Sequence, residues 1–567
     1  MDRNSLLRVL LIAGAVLLFW KFGLPKITGS GEKPQELPAE SYINAPDFVP
    51  DAIDPPAVPG QANKPPVGEL CKIDGQRFEA TLSSRGAAIV NFRLEAAKYD
   101  GLDLSTTPDM ERWRSLRTLF RGPEGRDQLK VDRFMWKLDP PDGKSCVFHY
   151  EDEDVKLVKT VSAVARPFEL AVQTTITNLD KEPKKHQLEI GAFSYRQNKE
   201  MKGSLGRQSP WQTELACASG GDVVRKNKDD FKSGWFDVPG ADRYAAVNSH
   251  YFAQALMPDP HEGAVKEQPR CELLSEEWPA PGQAKDADDS AYVFHAKLVY
   301  PPRELAPDAS ATYDQIAFFG PKEREVLAHA GGGERLRDLI NLGFFRPVAR
   351  VLVGILTFFQ EKVTGNWGLA IIAMTVCLKT ALFPLTFRSI KTTIAMRKLK
   401  PEVDALNAKF KDDAQAKNLA QMELWKKHGV NPLGGCLPQL VQMPVWFAMY
   451  TTLQTAAEMY HVQFLWFRDL SSPDPYYILP LLLGAFMIIQ QRIVPQQGMD
   501  PMQQKMMMWM MPIVFTVMML FLPAALGVYM LTNSILGIVQ QLVLEQVAPR
   551  GNGGGGSGIV VKQAKAG

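Results

Sequence analysis

The sequence predicts a multi-domain membrane protein: an N-terminal signal-anchor helix, a large exported all-β domain and an α-helical core of five spans. Three observations carry this prediction. An apolar run from Leu6 to Leu24 opens the chain, roughly 250 residues of short alternating strands follow a Pro-rich stretch, and long apolar segments return after residue 330. The formal charge of +2 on 567 residues gives no sign of a nucleic-acid partner.

The apolar run has Arg3 and Arg8 towards its start, Lys21 near its end and Lys26 after it. No small-residue cleavage site follows in "PKITGSGE", so residues 1–27 read as an uncleaved anchor, with a cleaved signal peptide as the alternative. Residues 28–67 hold nine prolines and six acidic residues against two lysines. That composition builds no core and predicts an extended tether, from which the next domain is held away from the membrane or swings. Residues 68–330 alternate at period two, as in "FELAVQTTITN" and "QRFEATLSSRGAAIVNFRL", and predict one large sandwich. The six cysteines form no C-x-x-C pair, which argues against a metal site, and one or two disulfides among Cys71, Cys146, Cys217 and Cys271 remain open.

Within 331–365, "VLVGILTFFQ" between Arg350 and Glu361 is too short to cross about 30 Å of hydrocarbon and predicts an amphipathic helix in the interface. Residues 366–546 then offer five spans: Trp367–Phe387, Leu433–Ala457, Tyr476–Gln491, and two from the run Met506–Leu544 divided at Pro523. The connection Arg388–His428 carries ten Lys or Arg against five acidic residues, which places it in the cytoplasm. Both termini are then cytoplasmic and the β domain is outside. Apolar residues at helical spacing (Ile390, Ile394, Leu399, Val403, Leu406, Phe410, then Leu419, Met422 and Trp425) make 388–432 a basic helical hairpin turning at "KDD". Its Arg397, Lys398, Lys400, Lys409 and Lys411 are candidate docking residues. The Gly-rich stretch 547–567 reads as a flexible tail.

Lys379 is the only charged residue between Lys362 and Arg388. A cation at that depth costs roughly 3 kcal/mol on insertion scales unless it faces protein or water. The other spans contain no internal Asp or Glu to pair with it, so water is the predicted neutraliser and a hydrophilic groove the consequence. Thr375 lies one turn away; Gln439, Gln442, Met443 and Trp446 form one helical stripe; Tyr529, Thr532 and Asn533 form another. Simple interhelical glue is the competing account of such stripes. Nine methionines between Met499 and Met519, Met507 and Met511 among them, suit variable apolar partners.

"NWGLAIIAMTVCLKTALFPLT", "VNPLGGCLPQLVQMPVWFAMY", "DPYYILPLLLGAFM", "DPMQQKMMMWMMPIVFTVMML" and "LPAALGVYMLTNSILGIVQQ" resemble, in order and spacing, the core of the YidC membrane protein insertases. "SSRGAAIV", "SHYFAQALMP" and "FFGPK" resemble the Gram-negative form with a large periplasmic domain. The resemblance implies a bacterial inner-membrane insertase and chaperone, acting alone or beside the Sec translocon, with a β-supersandwich periplasmic domain of galactose-mutarotase type. It implies nascent membrane proteins, the lipid bilayer and, transiently, the ribosome as partners, with no DNA, metal or cofactor. Lys379 falls where bacterial members usually carry an arginine, and Met443 and Trp446 fall on the helix that contacts substrate. The resemblance gives the tail from 547 no strongly basic character for ribosome docking, since it holds only Arg550, Lys562 and Lys565.

Two rival readings stand beside this one. A small-solute transporter lacks an internal repeat and an intramembrane acid for ion coupling. A membrane-tethered carbohydrate-active enzyme would draw on His149, His186, His250, His261, His295 and His329, whose spacing matches no catalytic pattern. No phosphate-binding loop for ATP is present in the sequence.

Overall fold

The computed structural model describes residues 68–547 apart from 100, 108–112, 122–135, 152–154, 204–208, 233, 280–289, 411–413, 431–432 and 494–500. The predicted anchor, tether, "KDD" turn and tail beyond Val547 lie outside the described residues. The chain forms two compact units, one of residues up to 352 with 448–473 and 521–524, the other of 353–447, 474–520 and 525 onward.

In the first unit the strands are β1 (Leu70–Gly75), β2 (Phe78–Ser83), β3 (Ala88–Leu94), β4 (Thr118–Arg121), β5 (Lys137–Leu138) and β6 (Ser145–Glu151). Then follow β7 (Val155–Ala163), β8 (Glu169–Asn178), β9 (Lys184–Gln197), β10 (Glu214–Ser219), β11 (Asp222–Asn227) and β12 (Phe236–Val238). The last are β13 (Tyr244–Asn248), β14 (Phe252–Pro258), β15 (Arg270–Pro279), β16 (Ser290–Val299), β17 (Arg303–Leu305) and β18 (Ser310–Pro321). They make a three-stranded sheet β1-β2-β3, a nine-stranded sheet β11-β10-β13-β14-β18-β8-β7-β6-β5, and a sheet β12-β15-β16-β9-β17 with β4 also on β9.

The two large sheets pack face to face. β9 sends Leu188, Ile190 and Ala192, and β16 sends Phe294, Ala296 and Leu298, into a core shared with Ala245 and Val247 of β13 and Leu256 of β14. Two disulfides staple the layers: Cys71–Cys146 joins the small sheet to the nine-stranded one, and Cys217–Cys271 joins β10 to β15 across the sandwich. Disulfides fit an exported domain.

The opposite face of β9 and β16 is charged. Lys297 pairs with Glu189 at 2.6 Å beneath the Trp235 ring, and His295 meets Glu276 at 3.0 Å. A cavity lined by Arg117, Glu189, Phe193, His295 and Lys297 measures about 20 Å³, the room of about one water. The histidines do not converge: His186 meets Tyr313, His149 meets Asp139, and His250 meets the Gln454 carbonyl.

Helices α1 (Asn198–Met201) and α2 (Arg324–His329) complete the β domain's own chain. Helix α3 (Arg346–Phe358) continues as a π turn through Thr364, and Gly365 ends it in the left-handed conformation (φ +63°). Asn366 then caps α4 (Trp367–Ala381), accepting from the Gly368 and Leu369 amides. The chain bends by 118° between these two helices.

The second unit continues with α5 (Phe383–Lys398), α6 (Lys400–Lys409), α7 (Ala414–Lys427), α8 (Leu433–Gln454), α9 (Ile478–Ile493), α10 (Pro501–Met519) and α11 (Ala524–Val547). Among the described helices, Ala524–Leu544 of α11 is by itself long and apolar enough to cross a membrane; 346–364 and 367–381 pass only together, and Ile478–Ile493 and Met508–Met519 are shorter. The predicted continuous span Trp367–Phe387 breaks at Leu382. Pro384 has no amide to give to Thr380 and its ring crowds that carbonyl, so α4 stops at Ala381. In the basic hairpin Leu399 and Val403 are buried, whereas Leu419 and Met422 are exposed. Between α7 and α6, Gln421 donates to Asn407 at 2.7 Å.

Residues 448–473, the C-terminal end of α8 and the loop after it, fold into the β-domain unit. Arg324, first residue of α2, donates its backbone amide to Glu458 Oε1 at 2.6 Å, pairs its guanidinium with Oε2 at 2.8 Å and reaches the Thr452 carbonyl at 3.1 Å. The neighbouring Glu323 accepts from Arg77, Lys98 and Tyr99. Burial pushes the Glu323 carboxyl up, and these partners more than offset it, holding it below the ordinary range. Tyr460 enters a box of Tyr99, Tyr251 and Phe252 rings at 5.6–5.8 Å. The β domain therefore clasps the end of α8.

Candidate functional site

Helix α4 carries Thr375 and Lys379 one turn apart. Thr375 is buried and its hydroxyl donates to the Ile371 carbonyl at 2.6 Å, so it serves its own helix. The break at Leu382 puts Lys379 in the last turn of α4, where the carbonyl end of the helix favours a cation. Its ammonium lies 3.8 Å from where a Cβ on Gly537 would stand, and Gln490 Nε2 lies 3.2 Å from the same point. Gln540 Nε2 donates to the Lys379 carbonyl at 3.4 Å. Among the described residues no carboxylate pairs with Lys379.

A second cluster joins α8 to α11. Gln442 Nε2 donates to Asn533 Oδ1 at 2.9 Å, and Gln442 also hydrogen-bonds the buried Tyr529 hydroxyl. Thr532 is half-buried beside them. Met443 is 47% exposed, and half-buried Trp446 sits edge-on to Phe447. Met511 is exposed on α10 with Met510, Ile513, Val514 and Val517, an apolar face. Gln439 and Met507 belong to α8 and α10, and Arg397 and Lys400 to α5 and α6. Lys398 and Lys409 are exposed, and Lys411 lies outside the described residues.

Sequence reasoning left out Gln490, Gly537 and Gln540. The signal was present: Tyr529, Asn533, Gly537 and Gln540 stand at i, i+4, i+8 and i+11, one face of α11 that carries both clusters.

The family described as "60Kd inner membrane protein" matches residues 358–550, and the one described as "YidC periplasmic domain" matches residues 70–355. The protein named "Membrane protein insertase YidC" of Anaeromyxobacter sp. (strain K) is 34% identical over 518 residues, 85% of this chain and 86% of that protein. Its namesake in Citrifermentans bemidjiense is 45% identical over 250 residues, 44% of this chain and 46% of that one. A solved structure entitled "Active YidC insertase crystal structure with the first transmembrane domain resolved" is 17% identical with a TM-score of 0.36, covering 84% of this chain and 94% of that chain. The transporter and carbohydrate-enzyme readings find no favour in these matches. With both halves of the chain matched and a third of its residues shared along most of its length, the chain belongs to the family of YidC membrane protein insertases.

Proposed function

We propose that insertion by this chain runs along the polar stripe of α11, with Lys379 as the charge that draws in the hydrophilic tail of an incoming protein. Family membership makes the chain an inner-membrane protein with a periplasmic domain, acting on nascent membrane proteins in a lipid bilayer. The observation that supports the groove is the uncompensated Lys379 ammonium beside Gly537 and the Gln490 amide, continuous on α11 with the Gln442–Asn533–Tyr529 cluster. A low-dielectric site holding one cation and several amides attracts an acidic or polar tail, while Met443, Trp446 and the exposed face of α10 receive the apolar segment behind it. For an acidic tail moving outward, a potential positive outside adds about 2.3 kcal/mol per charge per 100 mV.

The basic hairpin is proposed to lie in the cytoplasm with both termini, and its exposed Lys398 and Lys409 to serve transient contact with the ribosome. Cooperation with the Sec translocon is part of the same proposal. The test is insertion of a single-span client with an acidic N-terminal tail into liposomes holding wild type or Lys379→Arg, Lys379→Ala or Lys379→Glu. Retained activity with Arg, reduced activity with Ala and abolished activity with Glu are expected. Equal insertion by all four would refute a role for the charge.

A further inference from the structure

The loop between α8 and α9 displays an apolar tip. Phe464 and Phe467 close a two-residue hairpin, with amide-to-carbonyl bonds of 3.0 and 2.9 Å in the two directions. Both phenylalanines are buried, as is Leu470. Leu465, at the first position of the turn, has φ +52° and is 71% exposed. That conformation favours glycine or asparagine, and a β-hairpin gains nothing internally from leucine there. Trp466 follows, half-buried with its ring 4.7 Å from Phe467.

The tip is presented rigidly. Asp469 accepts from the His461 and Ser471 amides and from the Ser471 and Ser472 hydroxyls, and the Leu470 amide bonds the Val462 carbonyl. Upstream, Glu458 and Tyr460 are held by Arg324 and the aromatic box. An exposed leucine in a pinned, disfavoured conformation is placed for something outside the fold.

We propose that Leu465 and Trp466 form an interfacial anchor that enters the bilayer surface between α8 and α9. This goes beyond the groove reading and does not depend on it. The loop leaves one apolar helix at Gln454 and enters the next at Ile478, so its tip is tied at both ends to elements of a membrane protein. Leucine supplies apolar area, tryptophan is the side chain suited to the headgroup level, and the exposed Arg468 beside them suits lipid phosphate.

The test uses the full chain in nanodiscs, with Cys377→Ser and Cys436→Ser leaving both disulfides intact. A fluorophore is attached through Leu465→Cys and, as the control, through Leu419→Cys on α7. The label at 465 should be quenched at least threefold more by a headgroup-level spin-labelled lipid than the control, and less by aqueous iodide. Because a label can itself seek lipid, Leu465→Gly is measured in parallel without one: relieved of the disfavoured φ, it should match or exceed wild-type thermal stability in detergent, yet lose Trp466 proximity to brominated lipid. Iodide quenching equal to the control would overturn the proposal. Protection from both quenchers would also overturn it, by showing that a protein covers the tip.

Discussion

Removing the Arg324 side chain should open the clasp between the β domain and the end of α8. The Arg324 and Glu458 side chains are 17% and 13% exposed, so Arg324→Met leaves a largely buried carboxylate without its cation. Breaking a buried pair from one side costs about 3–5 kcal/mol. Glu458 keeps its 2.6 Å bond from the residue-324 backbone amide, which puts the cost near the lower end, about 3 kcal/mol. At about 1.4 kcal/mol per factor of ten, that is roughly a hundredfold rise in the open population of the loop. Hydrogen exchange of a peptide covering 455–463 reads it locally, without assuming two-state unfolding of a multidomain protein. Arg324→Met/Glu458→Gln removes both charges, keeps an acceptor for the amide, and should bring protection back to within tenfold of wild type. If the single variant exchanges within threefold of wild type, or the double variant exchanges as fast as the single, the ion pair is not what holds the loop.

At Gly537 a methyl group would meet the flexible tips of Gln490 at 3.2 Å and Lys379 at 3.8 Å, both free to give, so Gly537→Ala should insert clients normally. Gly537→Leu fills the space before the Lys379 ammonium and should lower insertion of an acidic-tailed client to the level of Lys379→Ala while sparing a client without acidic residues; equal loss for both clients would mean plain misfolding. Burial, with the Arg303 charge adding, pushes the His186 imidazole down to about 4, against about 6.5 when unfolded. The unfolded chain takes the proton first, so stability is intact above 6.5 and declines as pH falls towards 4, by about 2 kcal/mol at pH 5. Urea midpoints at pH 7 and 5, followed by near-UV circular dichroism, should show that slope reduced in His186→Gln; parallel slopes would rule the histidine out as its source.

Local pattern was legible where the physics is local. The stretch 168–178 is β8 almost residue for residue, and 76–94 is β2 and β3 joined through Gly86 and Ala87 at positive φ. Gly, Pro and period-two alternation are read without knowing the partner strand. Cysteine pairing was not legible, because Cys71–Cys146 and Cys217–Cys271 are fixed by sheet stacking across 75 and 54 residues. Nor was the role of "SHYFAQALMP" and "FFGPK". They supply His250 to the Gln454 carbonyl, Tyr251 and Phe252 to the Tyr460 box, and stand just before Glu323, contacts that exist only once a loop some 200 residues later folds back. The break in α4 was legible from Pro384 and was overridden by the apolar run around it.

The tether composition predicts a β domain held away from the membrane or swinging, and says nothing of which part of the later chain that domain binds. A buried ion pair and a boxed tyrosine hold residues 458–460 to the β domain, contacts between side chains far apart in sequence that the composition of a tether does not encode.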